Sequence, residues 1–369
     1  MSRKAKLLIF HPALAPYRVD FFNLLADMFD THLILLGTNL EEQKFDQKHL
    51  LAKLKCRISY LTNGFMFLGR YIRTGFISLV SKERPDIVLG YEYSPLTVLI
   101  LFYKRICRCR FRFYTMTDDN KEMFIATRGI RKILRKFVLR YSDGVIVTNR
   151  ETAELAEVYH AKTAVVPIVY EIESYRADSG EVFNAAKRLR DGIVDATGRI
   201  VLYVGRLAKV KNLSWAIRDV ASALPLNAKF VIVGSGPEEF ELKQLVKQFD
   251  DAADRIVFAG RHEGNALMAY FVAADLFFLP SVFEPYGAVV PEALLWGVPC
   301  LVSSHVGAKD LLDKENGSVF EIERCGDIQE KLKTMLEHLP TWTPQRNSLL
   351  KVDFKDLCDE LLALMGVDA

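Results

Sequence analysis

LFFLPSVFEPYGAVVPEALLWGVPCLVS, residues 276 to 303, holds a strand, a turn, a helix and a second strand in one short span. An apolar run of strand length (276 to 280) leads into a segment rich in Pro and Gly, and a second apolar run follows at 299 to 303. Pro291 fits only the first turn of a helix, and Gly297 ahead of Pro299 closes that helix. Gly287 frees the backbone to approach a ligand. Two acids stand in the segment: Glu284 on the turn and Glu292 in the first helical turn. There the helix dipole favours a carboxylate by roughly 0.3–1 kcal/mol. By themselves they read equally well as a turn residue and a helix-stabilising acid.

The same alternation extends through the chain. Upstream in the back half, apolar runs lie at 200 to 205, 229 to 234 and 255 to 260; in the front half they lie at 7 to 10, 32 to 37, 86 to 90, 111 to 116 and 144 to 148. Strand-length runs alternating with helical patterns define βαβ units and parallel sheets, so five strands per half predict two sheets. The expected division is a first α/β domain over 1–172, a linker over 173–197, a second α/β domain over 198–345 and a C-terminal helix over 346–369 packing back toward the first domain. That helix is read from Leu350, Phe354, Leu357, Leu361 and Leu364 at helical intervals. A length of 369 residues suits two domains.

Composition excludes several classes. Half the residues are apolar (50%) and 26% are charged, which describes a folded chain without disordered tracts. The six cysteines lack metal-ligand spacing and read as reduced thiols in a cytoplasmic protein. The N-terminal apolar run is too short for a signal peptide, and no stretch reaches the ~18 apolar residues of a membrane span. The net charge of +3 conceals a split: through Tyr170 there are 27 Lys and Arg against 16 Asp and Glu, a balance of +11. A basic half of that size faces something anionic.

Open parallel sheets bind ligands beyond the carboxyl ends of their strands, so chemistry is expected in the loops there. VGRLAKVKNL (204 to 213) places Arg206 and Lys211 on one such loop, where a guanidinium fork and an ammonium can hold a diphosphate, or simply meet solvent. VGSGPEEF (233 to 240) offers Gly234 and Gly236 but carries Glu239 where a dinucleotide fingerprint needs its third glycine; a tight turn, with Pro237 opening the next helix, explains it.

Taken together, these residues resemble the retaining glycosyltransferases of family 4. Glu284 and Glu292 match that family's glutamate pair separated by seven residues, and Gly205-Arg206-Leu207 with Lys211 matches its phosphate loop, within a likeness covering about 196 to 320. The resemblance implies the GT-B fold, two Rossmann-like domains facing across a cleft. It implies that Glu284 contacts the donor sugar, that Arg206 and Lys211 neutralise the departing diphosphate, and that Glu292 accepts hydrogen bonds from ribose. Tyr286, Gly287, Ala288, Val289, Gly234 and Arg261 complete the expected donor set, the amides near Ala288 to Val290 meeting leaving-group charge without a metal ion or cofactor. The donor is expected to be a UDP- or GDP-sugar.

The front half departs from the family. It has HPALAPYRVDFF (11 to 22) where many members carry a Gly-Gly loop, and Pro16-Tyr17-Arg18 resembles a subgroup acting on bacterial surface polysaccharides. Asp118 and Asp119 stand where many members present a histidine, either as sugar or acceptor contacts or as helix caps. Asp310 stands where the family often has a glutamate. His11 and Tyr17 join the acceptor-side candidates, a structural histidine being the alternative for His11. His262 and His305 carry no assignment.

RGIRKILRKFVLRY (128 to 141) is expected as an amphipathic helix with cations on one face and apolar residues on the other, suited to an anionic membrane at its cytoplasmic side, or docked on its own sheet. The leading expectation is sugar transfer to a hydroxyl of a lipid-linked or oligosaccharide acceptor, with retention, in bacterial surface-polysaccharide synthesis. An inactive nucleotide-sugar-binding protein is the alternative. A nucleic-acid binder is disfavoured for want of an interleaved stacking platform.

Overall fold

In the computed structural model, which describes residues 3–39, 45–67, 70–177, 179–249 and 253–366, the chain forms two units. Met1–Val169 with Asp353–Ala369 make the first, and Tyr170–Val352 the second. The first contains strands β1 (Lys6–His11), β2 (Asp30–Leu35), β3 (Arg57–Tyr60), β4 (Gly64–Phe67), β5 (Arg70–Arg73), β6 (Ile87–Tyr91), β7 (Arg112–Thr117), β8 (Gly144–Val147) and β9 (Thr163–Val165). Seven of them form a sheet in the order β3-β2-β1-β6-β7-β8-β9, all neighbours parallel, while β4 and β5 pair antiparallel as a separate ribbon. The second unit contains β10 (Arg199–Val204), β11 (Ala228–Val233), β12 (Ile256–Gly260), β13 (Leu276–Leu279), β14 (Cys300–Ser303) and β15 (Gly317–Phe320), a parallel sheet in the order β12-β11-β10-β13-β14-β15.

The ten strands expected from apolar runs are present, and the sheets are larger by three. Central strands of a parallel sheet are covered on both faces and read as unbroken apolar runs. β3 (RISY) and β9 (TAV) lie at the edges, one with alternating polarity and half exposed, the other three residues long, and β15 (GSVF) is an edge strand opened by glycine. Such strands leave no apolar run to find.

Residues 173–197, expected as a linker, carry helices Ile172–Tyr175 and Ser179–Asp191, which belong to the second unit. The longer one is fixed by Arg190, whose guanidinium is buried against Asp275 at 2.7 Å and donates to Ala273 O at 2.7 Å. The C-terminal helix runs over Phe354–Met365, beginning only after Asp353, whose side chain caps it by accepting from Lys355 N. It packs within the first unit: Val165 N donates to Glu360 at 3.1 Å, and Arg112 donates to the carbonyls of Met365 and Gly366. No helix among the described residues is long and apolar enough to cross a membrane.

In both sheets the chain leaves a central strand for one side and later returns on the other. The order reverses between β1 and β6 in the first unit and between β10 and β13 in the second. Loops diverging at such a point open a crevice at the carboxyl ends of the two strands.

Candidate functional site

The second unit's switch point brings together the loops after β10 and β13. Val282 N donates to Val210 O at 2.9 Å, joining them. Lys211 ends a short 3-10 turn (Lys209–Lys211), and its ammonium pairs with the Glu284 carboxylate, which also accepts from Ser281 Oγ at 3.3 Å. Both partners keep partial exposure, with side chains 18% and 12% accessible. Arg206, on the same loop as Lys211, is exposed, and its carbonyl accepts from the Tyr203 hydroxyl at 2.9 Å. Burial pushes the Tyr203 hydroxyl well above its ordinary range, with the Glu284 and Glu238 charges adding to the shift.

Glycine is required where the strand-end loops meet. A Cβ on Gly234 would stand 1.9 Å from Gly205 O, and one on Gly236 would stand 2.3 Å from Leu207 O. The loop after β11 therefore lies directly on the loop that carries Arg206. Pro237 precedes rather than opens the next helix, which runs over Glu239–Val246.

Glu284 is held through its backbone, its carbonyl accepting from Gly307 N at 3.2 Å. Tyr286 is buried, and its carbonyl accepts from Ala308 N at 2.7 Å. Gly287 has φ +94°, turning the chain into the helix Val289–Leu295, for which Ala288 is the N-cap residue. Glu292 sits in the first turn of that helix and accepts from the Tyr170 hydroxyl at 2.6 Å, with Tyr175 as a further hydrogen-bond partner. Burial outweighs these bonds and raises its carboxyl to about 7. Tyr170 is not among the residues expected at the site. Nothing in its local sequence marks it, since its partner lies more than a hundred positions away.

The remaining candidates lie after β12 and β14. Arg261 follows β12, is exposed, and pairs with Glu263. His262 Nε2 stands 3.0 Å from Ala259 O, and His305 Nε2 stands 3.1 Å from Glu323. Asp310 lies exposed in the 3-10 helix Gly307–Leu311. No group of three His, Cys, Asp or Glu among the described residues is placed to hold a metal ion.

The first unit's switch point is also polar, and its histidine and arginine are buried. His11 is buried at 5% exposure, its Nδ1 is 2.8 Å from Ala13 O, and its ring packs edge-on against Phe22 and Tyr91. Burial, with the Arg18 charge beside it, lowers its pKa to about 3, so the ring is neutral. Arg18, which the residue pattern does not mark as a site residue, is buried at 3% exposure and forms an ion pair with Asp118. Tyr17 and Phe21 lie near its guanidinium, and the Tyr91 hydroxyl donates to Asp118 at 3.4 Å. The neighbouring helix Lys121–Ala126 is capped by Asn120, not by either aspartate. Asp119 instead anchors the backbone, its carbonyl accepting from Asn149 and Thr152, and burial raises its carboxyl. Glu92, also unmarked in the sequence, has φ +49° and a carboxyl raised to about 7 by burial and by Asp119 and Asp118.

Residues 198–338 match the family described as Glycosyl transferases group 1. That stretch lies within the second unit, and the chain as a whole has the GT-B fold that the resemblance implies. An uncharacterized glycosyltransferase of Methanocaldococcus jannaschii is 29% identical over 179 residues, 48% of this chain and 46% of that protein. The N-acetyl-alpha-D-glucosaminyl L-malate synthase of Bacillus anthracis is 31% identical over 254 residues, 68% of this chain and 64% of that protein. The chain spans about half the length of several curated relatives it matches, 46, 52 and 53% for three of them. Among solved structures, HepE from Anabaena in complex with UDP and glucose superposes with a TM-score of 0.70 at 17% identity, covering 98% of this chain and 99% of HepE.

Proposed function

We propose that the protein transfers a sugar from a nucleoside-diphosphate donor to a hydroxyl of a lipid-linked or oligosaccharide acceptor, with retention of anomeric configuration, in the assembly of a bacterial cell-surface polysaccharide. The observation that carries this reading is the Lys211–Glu284 pair at the switch point of the second sheet, on the loop that also presents Arg206. A diphosphate entering that crevice meets two cations, and Glu284 remains beside it to accept from sugar hydroxyls. Glu292 takes the ribose, exchanging its bond from Tyr170 for bonds from the ribose hydroxyls. HepE has been solved with UDP and with UDP-glucose, which favours uridine as the base.

The chemistry follows from charge. As the bond between the anomeric carbon and the phosphate oxygen breaks, its electron pair goes to the diphosphate, whose added charge Lys211, Arg206 and the amides at the start of helix Val289–Leu295 stabilise without a metal ion. The acceptor oxygen bonds to the anomeric carbon on the face the diphosphate leaves, and the acceptor proton passes to the departing phosphate oxygen. Asp118, Asp119, His11 and Tyr17 are assigned to the acceptor side. The Pro16-Tyr17-Arg18 likeness supports a surface-polysaccharide acceptor. The surplus of 27 basic over 16 acidic residues through Tyr170 supports reversible binding to the cytoplasmic face of an anionic membrane.

A thermal-shift panel of uridine, guanosine and adenosine diphosphate sugars tests the reading. Stabilisation should rise with the logarithm of donor excess over its dissociation constant and be largest for a uridine or guanosine donor. An unmoved melting temperature with every nucleotide sugar would remove the proposal.

A further inference from the structure

The ribbon of β4 and β5 is held apart from the first unit's sheet and presents apolar side chains on both of its faces. Its register pairs Phe65 with Ile72 and Met66 with Tyr71, so neighbours along each strand point in opposite directions. Phe65 is 54% exposed, Met66 62% and Tyr71 44%, with Tyr60 just before the ribbon and Ile77 just after it exposed as well. A lone two-stranded ribbon in water is marginally stable, and a soluble surface seldom gathers large apolar groups in this way without a partner.

The surroundings of the ribbon indicate which partner. It packs against helix Pro95–Ile106, which in turn packs against the basic helix Gly129–Tyr141. Phe102 of the first helix stacks on Phe137 of the second at 4.9 Å, and Arg105 lies over Tyr141 at 4.2 Å. The basic helix departs from the two-faced pattern expected of it. Arg135 is buried against the Phe124 ring at 3.7 Å, while Ile130 and Ile133 are exposed among Arg131, Lys132 and Lys136, and Ile106, at the end of helix Pro95–Ile106, is equally bare. Helix Gly129–Tyr141 contains five Lys and Arg and no acid. Bare isoleucines set among exposed cations suit a lipid interface, where the apolar groups enter the acyl boundary and the cations meet anionic headgroups.

We infer that the β4–β5 ribbon is a membrane-inserting element, which enters the acyl region of an anionic bilayer through Phe65 and Met66 while the basic helix Gly129–Tyr141 adsorbs to the headgroups. The inference rests on the membrane part of the proposed function and adds to it a contribution that salt does not screen. Adsorption by cations weakens as ionic strength rises, whereas apolar insertion persists.

The test uses the full chain with vesicles of phosphatidylglycerol and phosphatidylcholine at low and high salt. The double variant Phe65→Ser with Met66→Ser changes exposed positions only, and should weaken high-salt binding by about tenfold or more while low-salt binding falls less. The double variant Lys132→Glu with Lys136→Glu should show the reverse pattern. In a third variant, Met66→Trp, fluorescence should be quenched by bromine-labelled acyl chains more than in the wild type, whose tryptophans all lie in the second unit. Wild-type binding that is unchanged by the ribbon variant, or a Trp at 66 that stays unquenched on bound protein, overturns the ribbon's role and leaves adsorption standing. Absence of wild-type binding at low salt overturns both. A dimer abolished by the ribbon variant, without vesicle binding, would assign the ribbon to self-association instead.

Discussion

At the carboxyl end of β10 a lysine and a glutamate face each other with both side chains partly exposed, whereas beyond β1 a buried arginine lies among aromatic rings and pairs with a partly exposed aspartate that follows β7. The sheets reverse order at both places, so topology offers a crevice twice. Lys211 and Glu284 lie on loops that the Val282-to-Val210 hydrogen bond also joins, with the exposed Arg206 on the loop of Lys211. Arg18 is 3% exposed, and Tyr17, Phe21 and Tyr91 surround its pair with Asp118. An accessible pair can exchange one partner for a ligand's phosphate or hydroxyl. Arg18 is committed to its partner, because losing Asp118 leaves the guanidinium an uncompensated charge in a poor solvent.

The largest expected effect breaks the committed pair. Asp118→Ala should cost ~3–5 kcal/mol of unfolding free energy, the scale for orphaning a buried charge, as read from denaturant titration. If that variant keeps wild-type stability, Arg18 does not depend on Asp118 in the sense described. Next in size are Lys211→Ala and Glu284→Ala, each expected to lower kcat by about two orders of magnitude or more with little loss of folding stability. Turnover at the wild-type rate in either would show that the accessible pair is ornamental.

A smaller effect concerns pH. The Glu292 carboxyl is raised from its ordinary 4.5 to about 7, so between those values the folded protein holds a proton that the unfolded chain has released. The stability contributed by protonated Glu292 is complete below about pH 4.5 and is lost as pH rises through about 7. Glu292→Gln should flatten that part of the stability curve. A slope identical to the wild type across the same range would mean that Glu292 is ionised throughout and that its bond from Tyr170 is made to a carboxylate.

The difference between the two crevices also explains what is legible in the sequence. Buried central strands are continuous apolar runs, and the glutamate pair and phosphate loop are short local patterns, so two parallel sheets and the likeness to glycosyltransferases can be read from the order of residues alone. Edge strands such as RISY at 57 to 60 carry too few apolar residues to be seen. Helix Ser179–Asp191 is hidden because its anchor, Arg190 on Asp275, is a contact between distant positions. Arg18 with Asp118, Tyr170 with Glu292 and the buried orientation of Arg135 are of the same kind: each depends on a partner that periodicity cannot name.

A crystal structure of the protein with UDP bound would address the role of the accessible pair most directly. The diphosphate is expected within hydrogen-bonding distance of the Arg206 guanidinium and the Lys211 ammonium, at the carboxyl ends of β10 and β13, with the ribose against Glu292. A diphosphate seated away from both cations would contradict that role.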